Sequence, residues 1–140
     1  MRPLLLLSLL ALAACDSARP DPAPYTGIVE VSLARDTDGR AELLLVAVDD
    51  DGCNSPLVVE SDASGLRLDV RVVGIERPEG GTCLALIPAR VTIPLRFDEQ
   101  GDFPITVTHR GATDAYVYSI GFAGERLDAV HTSTTRLATP

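Results

Sequence analysis

From residue 25 onward, apolar and polar positions alternate along the chain with the two-residue period of a half-buried β-strand. Val29, Val31 and Leu33 share one face of residues 25–34, and Asp36-Thr37-Asp38-Gly39 then makes a turn. Residues 40–48 (RAELLLVAV) are apolar on both faces, as in a central strand, and Leu57 to Glu60 predicts a short edge strand. Leu66, Leu68, Val70 and Val72 alternate with Arg67, Asp69 and Arg71, so the outer face of that strand is charged. A short apolar run covers residues 83–87, and Val91, Ile93, Leu95 and Phe97 alternate after it. Pro94 has no N–H to give a ladder, which marks this strand as an edge or a bulge. Phe103, Ile105 and Val107 define the next strand, Tyr116, Tyr118, Ile120 and Phe122 another, and residues 126–136 a polar last one. No segment beyond residue 14 has the helical spacing of apolar residues. About seven short strands with regular turn signals predict an all-β chain, an antiparallel β-sandwich that is immunoglobulin-like or a related Greek key. One such domain occupies residues 25–137.

The first fourteen residues follow a different pattern. Met1 and Arg2 precede an apolar run from Leu4 to Leu12, broken only by Ser8, which has the form of an export signal. A membrane-spanning helix needs about 20 apolar residues, more than this run supplies. Leu12-Ala13-Ala14-Cys15 resembles the bacterial lipobox, in which a small residue precedes an obligatory cysteine. The resemblance implies a bacterial lipoprotein: a signal peptide over residues 1–14, cleavage before Cys15, diacylglycerol on the Cys15 thiol, and acylation, such as palmitate, of the new amine. Two or more acyl chains are what stable membrane anchoring requires. It also implies a place in the cell envelope, anchored to a membrane with the domain facing the periplasm or the exterior. Asp16, next to the lipidated position, resembles the signal that retains enteric lipoproteins in the inner membrane. Residues 15–24, with Pro20, Pro22 and Pro24, read as a tether. In an extended form it reaches on the order of 25 Å.

Charge narrows the partners. The chain carries a net charge of -8, and all 12 of its basic residues are arginine. That sign repels phosphate backbones and anionic headgroups, which disfavours nucleic-acid binding and electrostatic docking to a membrane surface. The aromatic content of 4%, with no tryptophan, disfavours a stacking platform for sugars or single strands.

Candidate chemistry is sparse. With Cys15 carrying lipid, Cys53 and Cys83 form an even pair in an oxidising compartment, and a disulfide between two loops at one end of the sandwich is expected. The acidic loop Asp49-Asp50-Asp51-Gly52, with Asp36 and Asp38 as further ligands, offers the oxygen donors that calcium takes. Asp-rich turns ending in glycine are equally what hairpins need, and the EF-hand spacing is absent. His109 and His131 each stand alone. A triad of His109, Ser119 and Asp114 can be drawn, but no Gly-x-Ser-x-Gly elbow accompanies it. Residues 95–120 resemble the closing hairpin of bacterial immunoglobulin-like lipoprotein domains, a likeness that carries over no functional residue. The expectation is a non-catalytic binding or envelope-structural module without a cofactor, meeting an envelope protein through loops or an edge strand. A calcium-binding domain and a small envelope hydrolase are the alternatives.

Overall fold

The computed structural model describes residues 21–49, 55–76 and 87–138. Cys15, Cys53, Cys83, Asp50 and Asp51, and most of the apolar run at 83–87, lie outside them. The described residues form nine strands in chain order: β1 (Val29–Arg35), β2 (Ala41–Ala47), β3 (Leu57–Ser64), β4 (Arg67–Ile75), β5 (Arg90–Pro94), β6 (Gly101–His109), β7 (Ala112–Gly121), β8 (Gly124–His131) and β9 (Thr135–Leu137). They make two packed sheets, one ordered β5-β2-β1-β9 and the other β3-β4-β6-β7-β8. The chain is therefore an all-β sandwich, and no helix among the described residues is long and apolar enough to cross a membrane.

The alternation seen in the sequence becomes the core. Val29, Val31, Leu43, Leu45 and Ala47 face inward from the four-stranded sheet, against Leu68, Val70, Phe103, Ile105, Val107, Tyr116 and Tyr118 from the five-stranded one. At about 25 cal/mol per Å² of apolar surface, each buried Val, Leu, Ile or Phe side chain contributes roughly 1.5–3 kcal/mol. The sharpest turn, Arg110-Gly111 between β6 and β7, has positive φ at both residues (53° and 77°), the backbone of a two-residue hairpin whose twist matches its strands.

Four features differ from the expected arrangement. The sheets are mixed rather than purely antiparallel, because β1 pairs β9 and β4 pairs β6 in parallel. The order β1-β2-β5 matches strands A-B-E of an immunoglobulin domain, but β4 rather than β3 lies beside β6. The reason lies in composition: β4 (RLDVRVVGI) has apolar residues for an interior position, whereas the distal half of β3 (ESDAS) is polar and suits an edge. The described residues hold nine strands rather than about seven, and the stretch read as one last strand over residues 126–136 is divided between β8 and β9. Finally, packing begins inside the segment read as tether. Ala23 exchanges two backbone hydrogen bonds with Ile75, of 2.9 and 2.8 Å. Gly74 permits this approach, because a Cβ there would overlap the Ala23 carbonyl.

Candidate binding end and buried polar cluster

The strand directions sort every connection to one of two ends. At the entry end lie residues 21–28, the described flanks of the 50–54 and 77–86 segments, the β6–β7 turn and residues 132–134. At the opposite, tip end lie the β1–β2 turn, the β3–β4 turn, residues 95–100 and the β7–β8 turn.

The tip end is open and carries the most exposed aromatic group, whereas the exposed Ile28 and Val130 lie toward the entry end. Phe122, at the β7–β8 turn, is 99% exposed, and Leu66, at the β3–β4 turn, is 65% exposed. Both were expected on inward-facing strand positions. β7 ends at Gly121 and β4 begins at Arg67, so each of the two residues falls on a turn instead. A cleft of about 600 Å³ enters the mouth of the sandwich, floored by Leu95, Phe97 and Tyr118 and rimmed by Glu42, Arg96 and Glu125. Its floor is held by rings: Phe97 stacks on Phe103 at 4.3 Å, and Tyr118 lies 6.0 Å from Phe97. Burial, together with the adjacent Glu125, pushes the Tyr118 hydroxyl up to about 12. Arg35 clips the β1–β2 turn to β8, donating to the Gly39 carbonyl at 2.7 Å and to Glu125 at 2.9 Å. A second hollow of about 340 Å³ lies at the root of the β7–β8 hairpin, lined by Asp102, Ser119, Phe122 and Arg126.

The entry end is closed by a buried polar cluster. The Asp114 carboxylate is fully covered and accepts from the backbone N–H and the hydroxyl of each of Ser133, Thr134 and Thr135. Burial alone raises its pKa, but these hydrogen bonds outweigh burial and hold the carboxyl well below the usual carboxylate range. Thr135 also bonds the Tyr116 hydroxyl, so the carboxylate fixes the start of β9 against β1. His109, 2% exposed, donates from Nε2 to the Gly27 carbonyl at 2.9 Å and stacks on Tyr25 at 5.8 Å.

The residues singled out in the sequence separate accordingly. Ser119 lies opposite Asp102 and donates to it at 2.6 Å on the outer face, whereas His109 points inward at the other end of β6. Seven positions of strand part Asp102 from His109, about 23 Å at the usual rise, so His109, Ser119 and Asp114 do not assemble into a triad. Asp49 accepts weakly from the Ile28 N–H at 3.3 Å at the entry end. Asp36 lies at the tip end, where its Oδ1 accepts from Asp38 and Arg40 N–H at 2.8 Å as a turn cap, so the two do not join in one site. Among the described residues no group of three or more His, Cys, Asp or Glu side chains gathers as a metal site. His131 is exposed on β8.

Asp114 was missed as an anchor. The available signal was a charged residue on an inward position, two before Tyr116 and four before Tyr118, which demands buried donors. The arrangement defines a β-sandwich with one polar-latched end and one open end. Comparison with protein-family models, with curated proteins and with solved structures finds nothing that matches this chain.

Proposed function

We propose that the chain is a lipid-anchored extracytoplasmic β-sandwich that acts as a non-catalytic binding module, held by Cys15 and presenting its tip end to an envelope partner. The observation that carries the reading is a polarity of the fold. The described chain starts at the entry end, where Ala23 bridges Ile75, and the exposed Phe122 and the open cleft lie at the other end. A lipid on Cys15 would thus hold the entry end toward the membrane and turn the tip end away from it. A fully exposed phenylalanine gains nothing for the folded monomer, and aromatic residues at the centre of an interface carry a large share of binding energy. The disulfide between Cys53 and Cys83 belongs to the same reading. It is supported by the flanks of the two segments, since Pro56 bridges Arg90 and the Pro56 carbonyl accepts from the Glu76 N–H at 3.1 Å.

The test is a pull-down from envelope extract with the unaltered chain and with Phe122→Ser. The substitution is expected to change folding stability by less than about 0.5 kcal/mol, as for a surface site without partners. The specifically retained protein is expected to disappear. Retention unchanged by Phe122→Ser removes the tip end from the reading.

A further inference from the structure

The two outer faces of the sandwich are not alike. On the five-stranded sheet the outward charges are mutually satisfied, Arg71 with Glu60, Arg67 with Asp69 and Arg126 with Asp128, around the apolar Pro104, Ala115 and Val117. On the four-stranded sheet, the outward positions of the interior strand β2 are Glu42, Leu44 and Val46, all half-buried, the last two apolar. Just beyond them lie Val48 and Ile28, joined by a backbone hydrogen bond of 3.1 Å, with Ile28 39% exposed. A solvated sheet face alternates to polar residues, so an apolar stripe beside a charge that is unpaired among the described residues marks a surface that meets something.

The charges beside the stripe indicate what it meets. At the level of Val46, Glu30 stands on one side, on β1, and Arg90 stands on the other, on β5. Glu30 already bonds Arg136 at 2.7 Å, whereas Arg90 has no carboxylate partner among the described residues. If a second copy is laid face to face about a two-fold axis running along β2, Val46 meets Val46 and Leu44 meets Leu44, and Glu42 meets Glu42 at the tip margin. Arg90 of each copy then lies over Glu30 of the other, and Thr92 over Ser32. The symmetry makes the Arg90–Glu30 contact twice, against one Glu42–Glu42 contact at the margin, and these paired opposite charges give the face the self-complementarity that an isologous interface requires. The same operation leaves the entry ends of both copies pointing one way.

We infer that this face is a homodimer interface, with a second copy of the chain as its occupant. The inference stands apart from the tip-end reading, because it uses neither the cleft nor Phe122. Four strands at about 4.8 Å and seven residues at about 3.3 Å make a face of roughly 440 Å² per copy, below the size of stable specific interfaces and in the range of weak, transient association. Covalent trapping is thus the suitable test. In intact cells making the full chain, Val46→Cys places a thiol on the axis, where it faces its own copy. Thr108→Cys places one on the outer face of the other sheet as a control. A short bis-maleimide is expected to convert Val46→Cys into a product of twice the chain mass, well above the background of the unaltered chain and of Thr108→Cys. Adding Arg90→Glu is expected to weaken association about ten-fold, as for a charge pair made repulsive. Resistance to trypsin confirms that each variant is folded. Trapping at Val46 no greater than at Thr108, trapping to a different protein, or indifference to Arg90→Glu would each overturn the inference.

Discussion

Asp114→Ala is expected to lower the unfolding free energy by about 3–5 kcal/mol, the cost of stripping a buried ionic acceptor from its donors. The substitution leaves the N–H and hydroxyl groups of Ser133, Thr134 and Thr135 without their acceptor, and Thr135 is itself only 5% exposed. It also releases the hydroxyl that meets Tyr116, at the base of the core. Because β9 is only three residues long and pairs with β1 alone, little else holds it. Urea unfolding measures the loss, and a change below about 0.5 kcal/mol would show that the carboxylate is not an anchor. Asp114→Asn retains one acceptor oxygen and is expected to fall between the two. The pH dependence has a defined sign. The folded-state pKa of Asp114 is depressed, so its contribution is complete above the unfolded value of about 3.9 and is lost as pH falls below that toward the folded value. The unaltered protein should therefore lose stability more steeply below pH 4 than Asp114→Asn does.

The second large effect is expected at Cys53 and Cys83, which are proposed to pair. Cys83→Ser is predicted to destabilise the protein by about 3–4 kcal/mol, the chain-entropy cost of opening a loop of roughly 30 residues. The same loss should follow Cys53→Ser, and the double variant should be no worse than either single one, because both remove one bond. Reduction and alkylation of the unaltered protein should add two alkyl groups that are absent without reductant. Additive losses, or free thiols in the unreduced protein, would remove the crosslink. The latch at Asp114 and the crosslink would then act on the same end of the molecule, each holding connections that cross between the sheets.

Strand positions were legible in the sequence because burial of one sheet face imposes a period of two, and an inner residue such as Val70 or Ile105 cannot trade places with its neighbour. Pro94 correctly marked an edge, since β5 borders only β2. What alternation does not encode is where a strand stops. Leu66 and Phe122 continue their patterns by identity and leave them by position, because Gly65 and Gly124 (φ of 61° and 111°) place the turns around them. The polar half of β3 carries no alternation at all and exists as strand only because β4 pairs with it over its whole length. Sheet order is a further non-local property: the parallel pairing of β4 with β6 joins segments more than thirty residues apart. Of the candidate residues, His109 and Asp114 were visible as residue types, but their roles depend on Gly27 and on residues 133–135, which only the fold brings near. Asp36 was legible as turn chemistry, because a side-chain acceptor two residues ahead of its donor is a local device.

Lipid on Cys15 is the claim from which compartment, crosslink and orientation follow. Mass spectrometry of the protein isolated from membranes decides it. The account predicts an amino-terminal peptide that begins at Cys15 and carries diacylglycerol, with Cys15→Ala leaving the chain uncut and unlipidated. An unmodified Cys15 in an intact chain that still begins at Met1 would contradict the account.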